Sequence, residues 1–120
     1  MLLEVSLKLK EKIEMEIIFN RFYYNPLPEN LYINVSEIDG HGIFAKEVID
    51  FNTYLGETHI KVPLLFNFIR TPLGGFINHS EQSNCYVECT YDWDGYKIFN
   101  LVTETKIQKD QELFLNYEGE

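Results

Sequence analysis

The chain has 120 residues, 45% hydrophobic and 15% aromatic, enough to close one modest core and too few for two. Asp and Glu number 19 against 10 Lys and Arg, a formal charge of −9. That balance repels phosphate backbones and argues against nucleic acid as a direct ligand, while it attracts basic proteins or peptides.

The first elements are read from alternation. Leu3, Val5, Leu7, Leu9, Ile13, Met15, Ile17 and Phe19 fall on odd positions, with Glu11 as the interruption, and period two predicts strand, with Lys10-Glu11-Lys12 as a hairpin turn or a bulge in it. Charges in every turn of this opening leave no continuous apolar run for a signal peptide or a membrane span, so a soluble, intracellular protein is expected. Two prolines in Asn25-Pro26-Leu27-Pro28-Glu29-Asn30 break the chain and divide an N-terminal extension, residues 1–30, from a main domain, residues 31–120. Strand-like runs follow at 31–38, 42–49 and 53–62. The run PLLFNFIR, 63–70, bracketed by Pro63 and Pro72, is the one helix candidate. Further strands are expected at 86–90, 96–104 and 112–115, with Asp92-Trp93-Asp94-Gly95 turning between the first two. The fold class is therefore mainly β with little helix.

The densest polar stretch is GGFINHSEQSNC, Gly74 to Cys85. No pairing of His79 and Cys85 with His41, His59 or Cys89 has the spacing that fixes two metal ligands together, so no metal site is expected. Cys85 and Cys89 are too few for a disulfide framework, and a reducing compartment is the default. His79 and Cys85, six residues apart, are a weak signal for a nucleophile pair. Taken alone, the stretch reads as a turn in which asparagine and serine side chains bond their own backbone.

Its company changes that reading. DGHGIFAKE (39–47), YLGE (54–57), GGFINHSEQSNC (74–85) and ELFLNY (112–117) occur in an order that resembles the SET-domain protein lysine methyltransferases, most of all the compact ones of viruses and some bacteria. The resemblance covers roughly residues 31–117. It implies a β-clip-like fold of several small sheets, with a C-terminal pseudoknot that brings the NHS segment beside the terminal NY. It also implies S-adenosylmethionine as cofactor and a lysine of a basic, histone-like protein as substrate. Gly40, His41 and Gly42 match the family's GxG turn, where backbone meets the ligand. Asn78 and His79 match the residues that hold the cofactor, an amide offering both donor and acceptor. Tyr117 and Tyr54 match two pore tyrosines. The first orients the lysine nitrogen, and the second walls the aliphatic stem. Leu115 and Val87 fall at positions that limit how many methyl groups fit. Lacking ring or hydroxyl there, the pore is expected to give a di- or trimethylated product, although Tyr86 is one residue away and a slip of one reverses a strand side chain.

Several family residues are replaced: Ser83 stands for a proline, Gly75 for a frequent arginine, Thr53 for a glutamate, and Asn116 for an aspartate. The family's C-terminal flank has no counterpart, so the N-terminal strand or a second subunit, in a homodimer, is expected to complete the lysine channel. Two alternatives stand beside the enzyme: a catalytically silent SET-like module that binds basic peptides by strand addition, and a structural protein that keeps the fold for its shape.

Overall fold

The computed structural model describes residues 9–13, 27–64 and 68–116. Residues 9–13, called α1, are helical, which corrects the strand with a turn or bulge at Lys10-Glu11-Lys12 expected there; the rest of the alternating run lies outside the described residues. Lys10, Glu11 and Lys12 are good helix formers, and Leu9 and Ile13 are spaced four apart, so period two competed with a helical reading of the same residues. Both Leu9 and Ile13 are exposed.

The main body is a curled, strand-rich structure. Strands β1 (Leu31–Val35) and β2 (His41–Ala45) form a hairpin, Leu31 opposite Ala45 and Val35 opposite His41. Strand β3 (Tyr54–Lys61) pairs with the two-residue β4 (Ile69–Arg70) and with β7 (Tyr96–Thr103). The helix candidate at 63–70 is therefore corrected: Pro63 and Leu64 are in a turn, Ile69 and Arg70 are in a strand, and 65–67 lie outside the described residues. Pro63 and Pro72 leave too little chain between them for a helix of useful length.

Helix α2 (Pro72–Phe76) comes instead just after that run. Thr71 is its N-cap and accepts from Gly74 N at 3.2 Å, with Pro72 in the first turn, the preferred arrangement of both residue types. Strands β5 (Asn78–His79), β6 (Cys85–Trp93) and β8 (Glu112–Leu115) complete the fold. The β6–β7 turn is the Asp94-Gly95 pair expected from sequence, with φ of 53° and 85° and Trp93 opposite Tyr96. Two positive φ values in a two-residue connection match the twist of the flanking strands.

The strand path is β1-β2-β8-β6-β7-β3-β4, with β5 pairing β8 off this path. Strand β8 runs antiparallel to β2 on one side and parallel to β5 and to Cys85 of β6 on the other. It is thus an interior strand that crosses beside the Asn78–Cys85 segment, as the resemblance requires. The main core gathers on and around it: Leu31, Ile43, Ala45, Ile49, Leu73, Ile107, Leu113 and Leu115 are all buried. A second small cluster holds Ile60 and Val62 under Ile69, Tyr96 and Ile98.

Candidate functional site

Three chain segments meet at Asn78. The first is delivered by α2, which lies so close on β3 that a Cβ on Gly74 would stand 2.0 Å from the Thr58 carbonyl oxygen; only glycine permits that approach. Ile77 closes the helix in extended conformation, its N–H bonding Leu73 O. Asn78 and His79 thereby enter β5 beside Phe114 and Leu115. The second segment is the β1–β2 turn, where Gly40 takes φ 48°, a left-handed conformation that costs glycine nothing. The third is the start of β8.

The Asn78 amide ties these together. Its Nδ2 donates to Asp39 O at 3.1 Å, to His41 O at 3.2 Å and to Glu112 Oε2 at 3.0 Å. An amide nitrogen carries two hydrogens, so this donor is fully engaged in holding the glycine turn against β8, and the amide oxygen is what Asn78 can offer a ligand. Glu112 is 9% exposed and also accepts from Ser36 Oγ at 2.8 and 3.0 Å. Ser36 Oγ in turn accepts from Ile38 N at 3.1 Å. A buried carboxylate is tolerated only when so satisfied. Gly42 is packed directly on it: an added Cβ would lie 2.3 Å from Glu112 Oε2 and 3.1 Å from Asn78 Nδ2. Close approach of a side chain within the protein is therefore the physical demand for glycine at this position.

A second asparagine locks the crossing. Asn84 is buried; its Nδ2 donates to Glu112 O at 2.9 Å and its Oδ1 accepts from Phe114 N at 2.8 Å. Ser80 N donates to Leu115 O at 3.1 Å and Asn84 N to Phe114 O at 3.2 Å. The turn from Ser80 to Asn84 thus bonds β8 as well as itself. Cys85, next in line, is 1% exposed, and burial, with a smaller effect from Glu104, pushes its thiol up to about 12. Such a thiol is no nucleophile at neutral pH.

Of the residues expected from sequence, Gly40, His41, Gly42, Asn78 and His79 are brought to one place. His41 and His79 are exposed. Leu115 is buried beside His79 and Cys85 and lines a pocket of about 190 Å³ with Thr58, His59, Phe68, Arg70, Gly74 and Ile77. Val87 packs against the core cluster that contains Leu115. Tyr54 sits elsewhere on the sheet. It and Tyr86 both pair with Val102, so the two rings flank one buried valine on one face. The Tyr54 hydroxyl donates to the Glu88 carboxylate. That hydrogen bond, with smaller effects of desolvation and of the Glu88 and Tyr86 charges, raises its pKa. Tyr117 lies outside the described residues.

Ser36, Glu112 and Asn84 were not singled out as site residues by sequence reasoning. The signal available for Glu112 was its place at the head of ELFLNY, as a charged residue opening an otherwise apolar strand. Among the described residues no group of three or more His, Cys, Asp or Glu is placed to hold a metal ion, and no helix is long and apolar enough to cross a membrane.

Comparison with known proteins agrees with this fold. Residues 66–118 match the family model of the SET domain, a segment that runs from before β4 through β8. A crystal structure described as a candidate histone methyltransferase of Plasmodium falciparum superposes with a TM-score of 0.63 at 21% identity, covering 76% of this chain and 95% of that one. The apo form of ctPRC2 with a doubly substituted Ezh2 superposes with a TM-score of 0.57 at 18% identity over 75% of this chain, which spans 15% of that one. No curated protein matches the chain significantly by sequence. The superpositions and the matched segment give the chain the SET-domain fold, in which the glycine turn, Asn78 and β8 meet in one place.

Proposed function

We propose that the protein is a protein lysine N-methyltransferase that uses S-adenosylmethionine. The observation that carries this reading is the junction of Gly40–Gly42, Asn78 and β8: a bare backbone turn, held rigid from behind by a buried carboxylate and an amide, with a polar side-chain oxygen left over. That arrangement fits a zwitterionic cofactor. Gly40, His41 and His79 would meet it through backbone, and the Asn78 oxygen would accept from its ammonium tail. When bound, the cofactor supplies a methyl group activated on a sulfonium centre.

The chain's own residues would do the rest. Tyr117 orients the lysine nitrogen in line with the methyl group, and Tyr54, its hydroxyl given to the Glu88 carboxylate, is left out of the channel. A lysine attacks only as the free amine, and apolar walls such as Leu115 disfavour its charged form, so no side-chain base is assigned. The net charge of −9 favours a basic polypeptide as substrate, of the class to which histones belong.

Incubation with methyl-labelled cofactor and a panel of basic proteins tests the reading. Label should reach lysine in the wild type, and Tyr117→Phe should abolish transfer while calorimetric cofactor binding persists. Binding of cofactor and of basic peptide without any transfer would instead support the silent module, a reading that the exposure of β6 along most of its length keeps in view.

A further inference from the structure

Two features of β6 are unused by the site above. The first is an edge. Strand β6 pairs with β7 from Cys85 to Trp93, but on its other side it meets β8 at Cys85 alone. Beyond Cys85, among the described residues, its outer backbone groups are in no ladder. An unpaired strand edge is a template for an added strand. The second is the face next to that edge. Tyr86 is 37% and Tyr54 54% exposed, and the exposed Glu88 stands two residues along the strand from Tyr86, on the same face. Two phenol rings with a carboxylate beside them attract a cation through ring quadrupole and charge together. Tyr54 occupies one carboxylate oxygen of Glu88, and a carboxylate accepts on two.

We propose that an extended basic segment of the polypeptide substrate docks along the β6 edge, with one of its lysine or arginine side chains received by Tyr54, Tyr86 and Glu88. The received residue is a neighbour of the methylated lysine and not that lysine itself. A carboxylate beside an ammonium stabilises its charged form, which opposes the proton loss that methylation requires. Glu88 is then a specificity-determining residue: it selects target lysines that have a second cation nearby. The inference rests on the methyltransferase reading only for the word substrate; the docking can be measured without cofactor.

The test is fluorescence anisotropy of the full chain with a labelled peptide of alternating arginine and alanine, and with its counterpart in which citrulline replaces arginine. Citrulline keeps the shape and removes the charge. Glu88→Gln, nearly isosteric and exposed, should weaken binding of the arginine peptide about three- to fivefold, Tyr86→Ala should act in the same direction, and neither should change the weaker binding of the citrulline peptide. Equal binding of the arginine peptide by wild type and Glu88→Gln overturns the proposal, as does an equal loss for both peptides. A dimer that forms without peptide and dissociates in Glu88→Gln would put a second copy on the edge and also overturn it. Methyl transfer to lysine-containing versions is read separately. Charge-dependent docking without transfer sinks the enzyme reading alone, and transfer without any dependence on Glu88 sinks this one alone.

Discussion

Replacing Gly42 by alanine isolates the packing that backs the candidate cofactor turn. The added methyl group would stand 2.3 Å from Glu112 Oε2, 2.8 Å from its Cδ and 3.1 Å from Asn78 Nδ2. Ordinary contact needs roughly 3.5 Å, so the carboxylate must retreat by about 1 Å. It has no free path: it is 9% exposed and held at 2.8 to 3.0 Å by Ser36 and Asn78. A shift of that size breaks hydrogen bonds of this length. Overpacking costs roughly 1–3 kcal/mol and a buried carboxylate deprived of partners roughly 1–3 more, so a loss of about 2–6 kcal/mol is expected in urea unfolding, together with weaker cofactor binding by calorimetry. Gly40→Ala is the control. There an added Cβ meets nothing within 4 Å but the backbone holds φ 48°, and the cost should be the left-handed penalty of about 1–2 kcal/mol. If Gly42→Ala is as stable as wild type within about 0.5 kcal/mol and binds cofactor unchanged, the carboxylate does not brace the turn and the reasoning fails.

Four further outcomes are expected. Mass spectrometry of a methylated peptide under excess cofactor should show di- or trimethyl product, since Leu115 and Val87 carry neither ring nor hydroxyl; a product halted at one methyl group refutes the wide pore, and Leu115→Tyr would then change nothing. A thiol reagent at neutral pH should modify the exposed Cys89 promptly and Cys85 only on unfolding, because burial holds its pKa at about 12; prompt reaction of both thiols contradicts that burial. The same thiol, raised from 9.0, makes unfolding easier as pH climbs from 9 toward 12, where the unfolded chain releases the proton and the folded one retains it. His59 has the opposite sense: burial and then the Arg70 charge lower its pKa below 6.5, so it contributes stability above that value which is lost as pH falls below it, and His59→Phe, which keeps a ring against Phe68 and Phe99, should flatten that acid limb in denaturant titrations.

The β character, the hairpins and the Asp94-Gly95 turn were legible because each depends on neighbours in sequence. The motif order also anticipated the meeting of the glycine turn with Asn78, since a bare turn and an asparagine keep their residue types wherever they meet. What escaped were the residues that act across the fold. Glu112 reads in sequence only as a charged residue opening a strand, and its burial depends on Ser36, 76 residues away, and Asn78, 34 away. The helix was misplaced by a few residues because PLLFNFIR offers more apolar surface than PLGGF, while the capping threonine and the contact of Gly74 with Thr58 decide the matter. At 9–13, strong helix formers outweighed the odd-position alternation. Tyr54 was matched by motif, but only the strand register shows that it shares a face with Tyr86 and Glu88.

Strand β8 sets the order in which this molecule can come together. The β1–β2 and β6–β7 pairs close through neighbouring residues, yet Leu113 must find Ile43, seventy positions earlier, before the two parts of the sheet are joined. Long loop closure of this kind is slow. The hairpins can therefore exist for a time as two unlinked halves, and in that interval neither the turn at Gly42 nor the amide of Asn78 has its carboxylate. Competence to hold the cofactor would arrive in a single late event, so a ligand that binds there would act as a latch on the last folding step, and refolding in its presence should slow unfolding more than it speeds folding.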